Sequence, residues 1–139
     1  MRLPLAGGAA DLPEYYEKNG GFWITGAVDR CVYVAVKPRF EKQIRLSYSE
    51  VEEVDDVTTI KHPIIRKCLE LFGVEEHVEV SSMADLPAGS GMGSSGSFTV
   101  GLLNALGAYT RKPVPNLAEA AYNVERGMAG KITGKQDQY

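Results

Sequence analysis

The segment from Pro87 to Ser97 constrains this chain more than any other, because Gly89, Gly91 and Gly93 alternate there with Ser90 and Met92, between a strand-like run and a long helical pattern. Glycine at every second position removes the Cβ atoms that would hold a backbone away from an anion, and lets the chain curl through conformations closed to other residues. The helix that follows presents unpaired N–H groups and the positive end of its dipole at that curl, which together make a phosphate site. Ser94, Ser95 and Ser97 add hydroxyls beside it. The string lacks the Gly-Lys-Ser/Thr ending of a P-loop and is not convincing as a dinucleotide fingerprint. On composition alone, a turn ahead of a tightly packed helix explains it as well.

The rest of the chain supplies elements to hold such a loop. Residues 22 to 37 are rich in β-branched and aromatic types and read as a strand with a bend or bulge at Gly26 and Asp29. Ile44 to Tyr48 reads as a second strand, and the acidic run Glu50 to Asp56 as a solvated connection. From His62 to Phe72, Ile64, Ile65, Cys68, Leu69 and Phe72 recur at helical spacing, with Gly73 placed to end the helix. Val78 to Met83 reads as a strand. Phe98, Leu102, Leu103, Leu106 and Tyr109 mark one face of a helix beginning near Gly93 and stopped by Pro113 and Pro115. Asn116 is placed to cap a last helix through Leu117, Ala120, Ala121, Val124 and Met128, with Glu119 as its capping-box partner and Gly130 and Gly134 as its breakers. This order predicts an α+β layer with helices on one sheet face.

Bulk properties exclude several function classes. The 139 residues, 44% hydrophobic and 24% charged, suit one globular domain rather than a disordered tail. A net charge of −3 with basic residues scattered among acids gives no nucleic-acid footprint. No stretch approaches the length of a spanning helix and the amino terminus lacks a signal-peptide core, so a cytoplasmic protein is expected. Cys31 and Cys68 are far apart and are expected to be buried, reduced thiols. His62 and His77 have no spacing for metal or nucleophilic work and read as structural or surface residues.

The full string Leu86-Pro87-Ala88-Gly89-Ser90-Gly91-Met92-Gly93-Ser94-Ser95 resembles the second motif of the GHMP kinases, usually Pro-x-x-x-Gly-Leu-Gly-Ser-Ser-Ala, with Met92 and Gly96 in place of Leu and Ala. Residues Arg2 to Tyr16 resemble the amino-terminal sugar-kinase motif with its Gly-Gly-Gly-Thr-Asp core, Ala9 and Ala10 replacing Gly and Thr. Val124-Glu125-Arg126 and Gly134-Lys135-Gln136-Asp137-Gln138-Tyr139 resemble the acidic segment and the catalytic-aspartate loop. Within the superfamily the likeness is greatest to the D-glycero-D-manno-heptose 7-phosphate kinases.

That resemblance implies an α+β fold with a mixed or antiparallel sheet covered by helices, the ribosomal-protein-S5-domain-2-like amino-terminal domain of these kinases, spanning residues 1 to 139. It implies ATP and Mg²⁺ as cofactors and a small-molecule sugar phosphate as substrate, phosphorylated at its anomeric hydroxyl. Alternatives are a fucose- or galactose-type 1-kinase, or a nucleotide-binding half-domain without catalysis. Pro87, Gly89, Ser90, Gly91, Met92, Gly93, Ser94 and Ser95 would bind the nucleotide, Ser95 and Glu125 would hold Mg²⁺, and Gly7, Gly8 and Asp11 would bind the sugar. Asp137 would be the base or orienting carboxylate, and Arg2 would stabilise developing negative charge. Lys131 and Lys135 are further candidates for a substrate phosphate. The family's second domain has no counterpart here, so the resemblance implies a missing carboxy-terminal domain or a homo-oligomer as partner, and a chain that turns over little alone.

Overall fold

The computed structural model describes residues 1–127 and 133–139, so the readings at Met128, Gly130 and Lys131 lie outside the described residues. Strand β1 (Arg2–Ala6) pairs antiparallel with β2 (Ile24–Ala27) in a small sheet. A larger sheet has the order β3-β6-β4-β5, with β3 (Val32–Pro38), β4 (Ile44–Ser47), β5 (Val51–Val54) and β6 (Val78–Ala84). In it β6 runs antiparallel to β3 and parallel to β4, which makes the sheet mixed. Helices α1 (Pro13–Asn19), α2 (Pro63–Phe72), α3 (Ser94–Thr110) and α4 (Leu117–Arg126) complete the α+β fold.

Alternation along the strands decides which sheet face is covered. Ile44, Leu46, Val78 and Val80 are buried at 0–1% exposure, and Leu46 lies in register with Val80. They meet Ile65, Cys68 and Leu69 of α2 and Leu102, Leu103 and Leu106 of α3 in one core. On the opposite face Glu79 pairs with Lys37 at 3.0 Å and with Arg45 at 4.0 Å, a solvated surface. Among the described residues no helix is long and apolar enough to cross a membrane.

Three helices form where their periodicity and caps predict. His62 caps α2 by accepting from the Ile65 N–H, and Gly73 closes it in the left-handed region at φ +66°. Asn116 caps α4 by accepting from the Glu119 N–H. The Glu119 carboxylate does not complete the capping box, because it accepts from Lys135 and Tyr139 instead.

Four readings need correction. Residues 22 to 37 form two strands in different sheets, joined by a bend at Asp29, while Gly26 lies inside β2 opposite Leu3. Helix α1 was not foreseen, since its seven residues carry no apolar period, although Pro13 sits at its first position, where a missing N–H costs nothing. The acidic run contains β5, whose Glu52 is only 7% exposed. Burial pushes its carboxyl up, but bonds from the Tyr48 hydroxyl and the Lys61 and His62 amides outweigh that and hold it below its usual range. Finally, Cys68 is buried as expected, but Cys31 is exposed.

Candidate active site

The glycine loop curls as its composition demands: Gly89, Gly91 and Gly93 have φ of +79°, +73° and +72°. Nothing lies within 4 Å of where a Cβ would stand on Gly89 or Gly91, so their bare faces front open space. Gly93 is the N-cap of α3 and offers no side-chain acceptor, so the first-turn N–H groups of that helix have no side-chain cap. Ser94 and Ser95 open the helix beside a cavity of about 560 Å³ lined by Tyr48, His62, Ser82, Leu86, Gly89 and Phe98, among others. The ring of His62 packs edge-on against Tyr48 at 4.8 Å and tilted against Phe98 at 5.5 Å. Burial, with help from the bond to Glu52, pushes the Tyr48 hydroxyl up to about 12, so it stays protonated on this wall.

Arg2 reaches the same loop from β1. Its backbone N–H donates to Met92 O at 3.0 Å and its Nη1 to Gly91 O at 3.0 Å, while Nη2 is paired with Asp137 Oδ1. The Asp137 carboxylate lies against the start of α3: a Cβ on Gly93 would stand 3.5 Å from its Oδ1. The open face of the glycine loop, a fixed cation and a carboxylate thus converge at one helix end.

A second polar cluster sits in the first turn of α3. Ser95 Oγ donates to Glu125 Oε2 at 3.0 Å, and Gln138 Nε2 donates to Glu125 Oε1 at 2.9 Å. Glu125 is 3% exposed and faces Cys68, whose thiol burial and then the Glu125 charge push up to about 12. Hard oxygen donors with few protein ligands suit a magnesium ion that takes its remaining ligands from phosphates and water. No group of three or more His, Cys, Asp or Glu is arranged for a metal among the described residues.

A sequence profile described as the GHMP kinases N terminal domain matches residues 58–139, which carry β6, the glycine loop, α3, α4 and Asp137. The chain belongs to the GHMP kinases. It is 28% identical over 153 residues to a D-glycero-alpha-D-manno-heptose 7-phosphate kinase of Campylobacter jejuni, an alignment covering 100% of this chain and 45% of that protein. A D-glycero-D-manno-heptose 1-phosphate kinase from Bacteriodes thetaiotaomicron superposes with a TM-score of 0.89 at 24% identity, over 100% of this chain and 50% of that one. A Lactococcus lactis galactokinase complexed with galactose superposes at 0.76 with 20% identity, over 99% and 38%. The two structures share the GHMP kinase fold. The chain spans about half the length of the first two of these relatives.

The amino-terminal motif of this GHMP kinase is tied into the same site. Gly7 and Gly8 lead into a 3₁₀ turn at Gly8–Asp11, and Gly7, Ala9 and Ala10 line a second cavity with Leu12, Glu14 and Tyr15. Asp11 turns inward at 3% exposure, and its Oδ2 accepts from the Gln136 N–H at 3.0 Å. Lys135 is likewise engaged: it pairs with Glu119 at 2.7 Å and lies 4.9 Å from the Tyr122 ring centroid. Gln136 and Gln138 gave no signal beyond flanking Asp137, yet they carry the ties to Gly8, Asp11 and Glu125.

Proposed function

We propose that residues 1–139 form the ATP-binding half of a sugar kinase that moves the γ-phosphoryl group to the anomeric hydroxyl of a sugar phosphate, D-glycero-D-manno-heptose 7-phosphate first among candidates. The observation that carries this reading is Arg2, which touches both the glycine loop at Gly91 and the Asp137 carboxylate. The names of the heptose phosphate kinases it resembles support the substrate class.

In this reading the phosphates lie over Gly89, Ser90, Gly91, Met92 and Gly93, held by backbone N–H groups and the start of α3, with Pro87 fixing the entry and Ser94 adding a hydroxyl. The base occupies the cavity beside Tyr48 and Phe98, whose volume is in the range of ligand pockets. Asp137 takes the proton of the anomeric hydroxyl as its oxygen bonds to the γ-phosphorus and the bond to ADP breaks. Arg2 holds Asp137 in orientation and offsets charge growing on the transferred group. Ser95 and Glu125 would hold Mg²⁺, which supplies neutralising charge on the phosphate oxygens. Gly7 and Gly8, beside the second cavity, face the sugar. A cytoplasmic setting goes with this reading, since ATP and phosphorylated sugars are held there.

The test is ATP consumption across a panel of sugar phosphates and free sugars, with phosphorus NMR of the product. A new anomeric phosphate on a heptose 7-phosphate is expected. Failure of the chain to bind ATP would overturn the kinase reading, and preference for free galactose or fucose would overturn the substrate.

A further inference from the structure

We infer that Glu119 is a positioning residue that grips both ends of the turn carrying Asp137 and so sets where that carboxylate stands. The inference rests on the kinase reading only where it concerns turnover. Residues Lys135 to Gln138 form a turn closed by the Gln138 N–H, which donates to Lys135 O at 3.2 Å, and Asp137 is its third residue. Lys135 Nζ donates to Glu119 Oε1 at 2.7 Å, and the Tyr139 hydroxyl donates to the same oxygen at 2.8 Å. One carboxylate of α4 therefore holds the residue two before the proposed base and the residue two after it.

Local chemistry would send this carboxylate elsewhere. Glu119 is the third residue of α4, where a glutamate ordinarily turns back to the N-cap backbone N–H as half of a capping box. Asn116 makes its own half, accepting from the Glu119 N–H at 3.1 Å, but the Glu119 carboxylate reaches the turn instead. The Lys135 side chain is only 23% exposed, and its ammonium lies 4.9 Å from the Tyr122 ring centroid and 5.9 Å from that of Tyr16. An ammonium so enclosed by α1 and α4 differs from the solvated surface pairs that contribute little. Bonds from Lys135 first and Tyr139 second hold the Glu119 carboxyl below its ordinary range, so it is charged at neutral pH.

On its other side the turn lies on Gly96 of α3, where an added Cβ would stand 2.6 Å from Asp137 O, so it has no room to shift toward that helix. Gln136 and Gln138 are tied to Asp11 and Glu125, the candidate ligands of sugar and metal. Glu119 has no such second duty, and its loss acts on placement alone. A misplacement of about 1 Å costs about 10²-fold in rate. Glu119→Ala is expected to lower kcat by about 10- to 100-fold, with calorimetric affinities for ATP and for D-glycero-D-manno-heptose 7-phosphate within about 3-fold of wild type. Glu119→Gln keeps a neutral acceptor for both donors and is expected to recover part of the loss. In an Asp137→Asn background Glu119→Ala should add little, since both act through one group.

The amide exchange of Gln138, followed by NMR, should be at least about 10-fold faster in Glu119→Ala than in wild type, because the turn it closes is no longer pinned. The double variant Lys135→Met, Tyr139→Phe leaves the helix charge in place, should share both effects, and carries the test if Glu119→Ala does not fold. A carboxylate that only stabilises the start of α4 would leave Gln138 exchange and kcat unchanged in the folded variants, which would overturn the inference. A fall of about 10-fold or more in heptose-phosphate affinity with kcat and exchange unchanged would overturn it too, making Lys135 a substrate ligand. Failure of the wild type to bind ATP would sink the kinase reading alone, and the exchange comparison decides the grip whether or not the chain turns over.

Discussion

The guanidinium of Arg2 pairs with the carboxylate of Asp137 while its other Nη donates to Gly91 O, so a residue of the first strand spans the glycine loop and the proposed base. Only a planar fork can serve both partners. Lysine carries the same charge as a single point and has no second arm. Arg2→Lys is expected to cut kcat by about 10²-fold, the scale of losing one charge-stabilising donor, with ATP affinity changed only a few-fold. Steady-state kinetics beside ATP calorimetry checks this, and a variant with near-normal kcat would detach Arg2 from the chemistry.

Asp137→Asn keeps the shape of the side chain and one acceptor but cannot take a proton. ATP affinity should stay near wild type while turnover falls about 10²-fold or more, the contribution of a positioned base. Single-turnover measurements with saturating sugar phosphate separate the two quantities, and ordinary turnover would remove Asp137 from the mechanism.

At Gly91 the native φ of +73° is closed to a β-branched residue, although no protein atom stands within 4 Å of a new Cβ. Gly91→Val should therefore cost about 1–3 kcal/mol of backbone strain, leave the fold recognisable by circular dichroism, and abolish ATP binding because the side chain fills the space of a phosphate. Unchanged calorimetric ATP affinity in a folded variant would show that the phosphates bind elsewhere.

Glu52 accepts from the Tyr48 hydroxyl and from the Lys61 and His62 amides. Its carboxyl lies below the usual 4.5, so the stability it confers is complete above about 4.5 and is lost as pH falls through the lower folded value. Glu52→Gln should lower stability at neutral pH by about 1.5–3 kcal/mol, the range for hydrogen bonds to charged groups. The gap to wild type should narrow as pH drops below 4.5. Urea midpoints from pH 7 downward test this, and a gap that stays constant into strong acid would contradict it.

The two thiols should separate cleanly. Cys31 is exposed, whereas Cys68 is buried with its thiol pushed up to about 12. A disulfide-exchange reagent at pH 8 should label one thiol per folded chain quickly and the second only on unfolding. Mass spectrometry locates the label, and rapid modification of Cys68 in the folded chain would contradict the packing of α2 on the sheet.

What the sequence by itself determined is what neighbours within a few residues decide. The glycines of the loop before α3, the apolar periods of α2 and α3, and the caps at His62, Gly73 and Asn116 all act over one or two turns. Their type and place could be read without knowing the fold. The burial of Glu52 escaped that reading because an acidic run has no local reason to pair. Its carboxylate goes inside only once β5 docks on β4 and brings the Lys61 and His62 amides within reach. Residues 22 to 37 look continuous because both halves favour strand, yet each half has a different partner, β1 for one and β6 for the other. The site depends on longer reach still: Arg2 meets Asp137 across 135 positions, and Asp11 meets Gln136 across 125. Motif resemblance named three of those residues but not that they touch, nor that Asp11 faces inward. Such contacts belong to the packing of β1, the turn after it and the carboxy-terminal loop at the start of α3, and nothing in the local chemistry of either end specifies them.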